Sequence, residues 1–289
     1  MPSVTSETSE PGGPDRLERH DPVAGRSRLR TTLVLAWRQR DYWATVYRRT
    51  WKGSAVSSFL LPVLYLTAMG VGLGSFIDSP DAQQRLGGVS YLAFIAPGLL
   101  AATAMQSAIG ASAYPVLGNF KWTKGYLAMV ATPLTVSSVL LAHLAYVGFR
   151  LLVTCAVFLV VLAVSGLSGV AAALVALPVA VLIGLAHATP VFAYAATLTQ
   201  DAGFAALFRL GVVPMFLFSG AFFPVSQLPR VFEWVAYATP LFHGVELTRM
   251  LVVGDASAGW GALHLAYLLA WLGMGWRLAL HTFTRRLVV

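Results

Sequence analysis

The sequence predicts an all-α integral membrane protein with six transmembrane helices, and three observations carry that prediction. Of 289 residues, 57% are hydrophobic and only 11% charged, with a mean hydropathy of +0.70, whereas a soluble domain carries about a quarter charged residues. Six apolar stretches come close to or exceed the roughly 20 residues that a helix needs to cross hydrocarbon. Once these are counted off, the basic residues fall almost wholly on one side of them. The net charge of +8 suits nucleic acid by sign, but this placement assigns it to a membrane surface instead. The single cysteine, Cys155, lies in an apolar run and excludes an intrachain disulfide.

The elements follow in order. Residues 1–26 are Ser, Thr, Glu, Pro, Gly, Asp and Arg with almost no apolar content, so they are expected to form a disordered cytoplasmic tail. No apolar core follows within the first 30 residues, as a signal peptide would require. Residues 27–289 then form one membrane domain. From Arg28 to Lys52, the residues Leu33, Trp37, Ala44, Tyr47 and Trp51 share a helical stripe broken by Arg40, while Arg38, Arg49 and Lys52 point away. Trp and Tyr beside Arg suit a helix lying at the membrane surface, although Leu35, Tyr42 and Val46 on the far face leave a solvated helix open. The six spans are expected at about Ser54 to Ile77, Tyr91 to Ala113, Thr135 to Val164, Val170 to Leu198, Phe204 to Phe222 and Ala262 to Leu280. The first ends in the glycine run 70–74, the second carries a small-residue face (Ala101, Ala104, Ala108, Ser112), and the fourth is interrupted by Pro178 and Pro190.

Ten lysines and arginines precede the first span, from Arg16 through Lys52. Lys121, Lys124, Arg209, Arg277, Arg285 and Arg286 fall on the same side, against Arg85, Arg230 and Arg249 on the other, with Arg150 inside a span. Sixteen against three places both termini in the cytoplasm. The external side then receives the acidic loop of Asp78 and Asp81, the turn at 165–169, and the stretch from Phe216 to Arg249.

That last stretch is apolar but broken at Pro224, Pro229 and Pro240. Proline removes a backbone donor and clashes with the preceding turn. Such breaks persist at membrane depth only inside protein or along a watery cavity, so the stretch reads as a pair of re-entrant helices approaching from outside. Glu246 and Arg249, three residues apart, share a helical face and are placed to pair, with Glu233 as the other acid nearby. On the cytoplasmic side, the segment from Tyr114 to Pro133 reads as a short aromatic helix carrying Lys121 and Lys124, either a partner-docking element or a membrane-anchoring loop.

Two blocks carry a resemblance. Phe218-Ser219-Gly220-Ala221-Phe222-Phe223-Pro224, with Leu228-Pro229 and the later Pro240-Leu241, Glu246 and Arg249, resembles the signature of the ABC type-2 export permeases. It is most similar to the branch of nodulation-factor (lipo-oligosaccharide) and daunorubicin-type exporters. Lys-Trp-Thr-Lys-Gly-Tyr-Leu-Ala-Met-Val-Ala-Thr-Pro-Leu, residues 121–134, resembles the coupling segment of the same family. The resemblance covers residues 30–289. It implies that residues 28–52 form the connecting helix ahead of the first span. It implies also that Phe120, Lys121, Trp122, Lys124, Gly125, Tyr126 and Met129 dock on a separate ABC ATPase, present in two copies and holding ATP and magnesium. An outer gate would be built from Phe218, Ser219, Gly220, Phe222, Phe223, Pro224, Leu228, Pro229, Pro240, Glu246 and Arg249. The family context further implies a second permease copy, as a homodimer in a bacterial cytoplasmic membrane, and a hydrophobic or amphipathic substrate such as a lipid-linked saccharide, glycolipid or drug-like natural product.

The residues themselves offer little chemistry. No Gly-x-x-x-x-Gly-Lys-Ser/Thr loop is present to cradle a phosphate, so the chain is expected to be a transport subunit with no cofactor of its own. Neither a Gly-x-Ser-x-Gly elbow nor a His-Glu-x-x-His occurs. His143, His187, His243, His264 and His281 show neither metal-ligand spacing nor an acidic companion, and read as structural. Arg150 is the sharpest oddity within the spans, a charge well inside the third; it either attracts an anionic headgroup of a lipid or glycolipid substrate, or sits low in its helix and snorkels to the cytoplasmic surface. An ion-coupled secondary transporter would need paired acids within the spans, which the sequence lacks. A non-transporting membrane scaffold would use the aromatic cytoplasmic segment only to bind partners.

The charge asymmetry gives the first prediction. Single cysteines placed at 121, 124, 81 and 230 in a Cys155→Ala background will react with an impermeant maleimide on intact cells only at 81 and 230. Labelling at 121 and not at 81 would reverse the topology.

Overall fold

A computed structural model of the chain describes residues 22–69, 72, 79–86, 88–254 and 258–288, and all its regular elements are helical. α1 (Pro22–Arg38) and α2 (Arg40–Thr67) meet at Gln39. The Gln39 amide donates to the carbonyls of Leu35 and Ser138, each at 3.2 Å, and so ties this turn to a later helix. α1 begins within the stretch assigned to the tail; the rest of that tail, with residues 70, 71 and 73–77 of the first expected span and Asp78 of the expected external loop, lies outside the described residues. A short α3 (Pro80–Arg85) follows.

Caps set the next boundaries. α4 (Tyr91–Ser112) starts where Ser90 accepts a hydrogen bond from the Ala93 amide at 3.3 Å. α5 (Tyr114–Lys121) and α6 (Gly125–Val130) follow, separated by Lys124 in the left-handed region at φ 52°. α7 (Val136–Val164) opens on Thr135, which accepts from the Ser138 amide at 3.2 Å. α8 (Val170–Thr197) corrects an expectation, because it runs unbroken through both Pro178 and Pro190. Neighbouring helices in a bundle can re-satisfy what a proline frees, and α8 is packed on several sides.

The next apolar stretch, α9 (Gly203–Phe218), is shorter than its expected span. Over Leu207–Val212 it widens into a π-helix. Pro214 has no N–H to offer the Leu210 carbonyl, which is where an i→i+5 pattern relieves the helix. Then come α10 (Arg230–Tyr237), α11 (Pro240–Val253) and α12 (Ala258–Leu287). α11 is delimited at both ends: Thr239 accepts from the Phe242 amide at 3.3 Å, Pro240 stands at the first turn, and Gly254 closes the helix at φ 93°.

Four helical stretches among the described residues are long and apolar enough to cross a bilayer: Tyr91–Lys121, Val136–Val164, Val170–Thr197 and Ala258–Leu287. The expected count of six is therefore met only in part. α2 leads into the first span, whose end is not described, and the 16 residues of α9 fall short of roughly 20.

α8 is the axis of the bundle, in contact with α4, α5, α7, α11 and α12. Small residues make up most of its buried surface: Ala176, Ala180, Gly184, Ala186, Ala188, Ala193, Ala195 and Ala196, beside the larger Ile183, His187, Val191 and Phe192. At one end of the bundle lie α5, α6, the start of α7 and the finishes of α8 and α12, with Lys121, Lys124, Arg285 and Arg286; this is the basic end. The turn at 165–169 and residues 219–239 lie at the other.

One close approach joins the broken stretch to the spans. A Cβ on Gly98 of α4 would stand 2.7 Å from the Ala221 Cα and 2.8 Å from its carbonyl oxygen. Gly98→Val will therefore destabilise the fold by about 1–3 kcal/mol, the usual range for overpacking, whereas Gly110→Ala, with nothing within 4 Å, will be neutral within about 0.5 kcal/mol. Thermal unfolding in detergent reads both; equal behaviour of the two would refute the contact.

Candidate functional site

Two clusters gather the residues that the sequence singles out, one at each end of the bundle. At the basic end, α5 and α6 form a helical pair in place of the single aromatic helix expected. Their tight join brings Gly125 against Asn119, where a Cβ would lie 2.5 Å from the Asn119 Oδ1. Asn119 donates to the Pro115 carbonyl at 2.9 Å and accepts from the Tyr42 hydroxyl at 3.4 Å, a link to α2.

The aromatic residues of this segment divide between inside and outside. Trp122, 59% exposed, and Leu127, 43% exposed, face outward together with Lys121 and Lys124. Phe120 and Tyr126 do not, which corrects the expectation that they present themselves to a partner: Tyr126 is fully buried and Phe120 nearly so. Met129 is half-buried. The reason is packing against the end of α12, where the Phe283 ring lies 5.0 Å from Phe120 and 5.3 Å from Tyr126. Arg286 stacks its guanidinium over Phe120 at 4.3 Å and donates to the Ala196 and Leu198 carbonyls at 2.7 and 2.9 Å, capping the end of α8.

Tyr126 also reaches across to α7. Its hydroxyl lies 2.5 Å from the Nδ1 of His143. Burial holds the phenol well above its ordinary pKa, with repulsion from Tyr42 adding to it. The phenol therefore stays protonated and donates to Nδ1, leaving the ring hydrogen of His143 on Nε2, a buried atom without a partner among the described residues. Trp43 of α2 stacks on the same imidazole at 4.3 Å and on Tyr146 at 4.7 Å. A continuous chain of contacts thus runs from α6 through His143 to α2. Sequence reasoning missed it: the helical stripe read on residues 33–51 does not include Trp43, and the partner of Trp43 on α7 has no spacing signature.

At the opposite end, Arg249 and Glu246 pair as the i,i+3 spacing suggested, with Nη1 donating to the carboxylate. Nη2 donates to the Gly220 carbonyl at 2.6 Å, and the guanidinium sits 4.0 Å over the Phe94 ring. One side chain thus fastens the 219–221 turn to α11 and α4. Gly220 holds that turn at φ 80°, and a Cβ there would meet the Val225 side chain at 2.8 Å. Ser219 is fully buried. Phe218 stacks on Phe232 at 5.1 Å, and Phe222 meets Phe216 at 5.0 Å. Pro224, Leu228 and Pro229 frame a single 3₁₀ turn, Val225–Gln227, ahead of α10, with Phe223 half-buried beside it. α11, opened by Pro240, reaches deep: a Cβ on Gly244 would lie 2.9 Å from the Ile183 side chain, midway along α8.

Two histidines that read as isolated in sequence meet here. The Nδ1 atoms of His243 and His264 lie 2.7 Å apart, and His243 Nε2 lies 3.0 Å from the Tyr237 carbonyl. A carbonyl only accepts, so His243 donates through Nε2 and takes the His264 hydrogen on Nδ1. Among the described residues no group of three His, Cys, Asp or Glu side chains could hold a metal ion. Arg150 corrects one of its two readings. It stands at the midpoint of the 29-residue α7 and is half-buried, not low in its helix.

Residues 31–253 match the ABC-2 type transporter family. The chain is 32% identical over 253 residues to Nodulation protein J of Sinorhizobium fredii, covering 85% of this chain and 94% of that relative. It is 34% identical over 219 residues to Nodulation protein J of Rhizobium leguminosarum bv. trifolii, covering 73% and 81% respectively. For Nodulation protein J of Rhizobium meliloti the figures are 30% over 253 residues, 85% and 94%.

The outer cluster predicts a labelling experiment. In a Cys155→Ala background, a cysteine replacing the buried Ser219 will react slowly with a membrane-permeant maleimide. Adding Arg249→Lys keeps the charge but loses the forked geometry that holds Glu246 and Gly220 together. Losing one charge-assisted hydrogen bond then raises the labelling rate on the order of tenfold. Unchanged rates would mean that Arg249 does not hold the turn.

Proposed function

This chain belongs to the ABC-2 type transporter family, and from that premise we infer that it is the membrane permease subunit of an ATP-driven exporter. The sequence has no phosphate-binding loop, so the ATPase with its ATP and magnesium is a separate chain, two copies serving a permease homodimer. The membrane is the bacterial cytoplasmic membrane, with the basic end and both termini inside. Substrate is amphipathic, a lipid-linked saccharide, glycolipid or drug-like natural product, taken from the cytoplasm or inner leaflet. The kinship to relatives named Nodulation protein J favours the saccharide-bearing class.

The observation that carries this reading is the split of the coupling segment into an exposed edge and a buried root. Trp122, Leu127, Lys121 and Lys124 form a protruding edge, while Phe120 and Tyr126 root it in α7 and α12. Aromatic anchors seated in a partner's pocket carry most interface energy, and the lysines add steering and salt dependence. Closure of two ATPases would push this edge, and the root passes the displacement through His143 to α2 and through Phe283 to α12. At the far end, the Arg249-fastened turn and the 224–229 kinks form the outer gate, and Arg150 is a candidate contact for an anionic headgroup on the way.

The test separates edge from root. In pull-downs with the cognate ATPase, Trp122→Ala will weaken association by about 2 kcal/mol, and Lys124→Ala by less than roughly threefold. Tyr126→Phe will bind as wild type yet lose substrate-stimulated hydrolysis in nanodiscs, since only the hydrogen bond to His143 is gone. If Trp122→Ala binds and couples normally, the segment is a membrane-anchored loop and the exporter reading loses its support.

A further inference from the structure

Between α1–α2 and α7 lies an apolar groove of about 570 Å³, within the range of roughly 300–1,000 Å³ that holds small ligands. Leu33, Trp37, Ala44 and Tyr47 line one wall and Leu141, Ala145 and Phe149 the other. Trp37 is 67% exposed, Leu33 59% and Phe149 47%, so the helix stripe read from sequence leaves much of its apolar surface open toward this space. Two features say what covers it. Arg40 and Arg48 are the only charged residues among the described residues that line it. The groove lies along the half of α7 next to the basic end, level with Ser138 through Phe149, beside tryptophans and a tyrosine of the kind that collect at membrane interfaces.

We propose that this groove is a binding site for one anionic phospholipid of the inner leaflet, an acyl chain lying on Leu33, Leu141 and Phe149 and the headgroup phosphate held by Arg40 and Arg48. Guanidinium pairs match phosphate geometry better than lysines do, and a second copy of this chain would bring the same two arginines against like charge. The site requires only that the chain resides in a bilayer and does not depend on the exporter reading.

Native mass spectrometry of the full chain, purified in detergent and exposed to equal amounts of phosphatidylglycerol and phosphatidylcholine, tests this. One phosphatidylglycerol per chain will be retained, with a preference of roughly thirtyfold from two arginines at the membrane surface. The Arg40→Ala/Arg48→Ala pair will lose that preference, whereas Arg38→Ala/Arg49→Ala, removing the same charge from outside the groove, will keep it. Ala145→Trp fills the groove from an exposed position and will lose the bound lipid whatever its headgroup; Ala44→Leu serves the same purpose if the first variant does not fold. No headgroup preference in the wild type overturns the proposal, as does equal loss in both arginine pairs, which would mean a diffuse basic surface. Lipid retained by the filled groove overturns it too, and so does a dimer that forms in the wild type and is lost on filling, which would make a second copy the occupant.

Discussion

Backbone proximity at a handful of small residues is the constraint on which this bundle rests. In lipid, burying an apolar side chain gains little, because the tails are as apolar as leucine, and helices associate through close van der Waals contact. α8 supplies that contact with its run of alanines and with Gly184, where a Cβ would lie 2.5 Å from the Leu151 side chain and 3.1 Å from the Ala104 carbonyl. Gly244 does the same for α11 against Ile183, and Gly275 brings α12 onto Thr189 and Pro190. Because α8 is narrow on these sides, five neighbours fit around it, and α11 can descend from the outer end to its middle. The 219–221 turn and α11 are thus buried in protein, where irregular backbone at depth is tolerated, while α10 stays largely exposed.

Fastening at the two ends follows different physics. The outer end uses charge: Arg249 collects a carboxylate, a carbonyl and an aromatic face around one guanidinium. The basic end uses aromatic rings, with Phe120, Tyr126, His143, Trp43 and Phe283 in contact around one buried hydrogen bond, Tyr126 to His143. Rings in contact slide and tilt at small cost compared with breaking a desolvated ion pair. The basic end is therefore the more readily deformed of the two.

Much of this was legible in the sequence, for reasons that also mark the limits. Span positions follow from composition, so Val136–Val164 and Ala258–Leu287 fall close to their expected places. The Glu246–Arg249 pair follows from helical spacing alone. Residues brought together by tertiary packing left no local trace: His243 and His264 lie 21 positions apart in sequence, Arg249 and Gly220 29. Phe120 and Tyr126 were misplaced for a related reason. A short helix with aromatic residues all round does not disclose which of them face inward until the partner surface, here the end of α12, is known. Prolines misled in α8 because their rule describes a helix in isolation, and α8 is never isolated.

The two ends of one contact in α12 carry a final consequence, for the tolerance of this helix to insertions and deletions. Gly275 meets Pro190, and Arg286 caps the carbonyls of Ala196 and Leu198 further along the same partner. The interval between them is about three helical turns. Adding or removing one residue within it would swing Arg286 by roughly 100° about the axis, away from the α8 terminus, and carry Phe283 off Phe120 and Tyr126 with it. Length variation in homologous chains should therefore accumulate ahead of Ala258 and after Leu287, while this interval keeps a fixed count of residues.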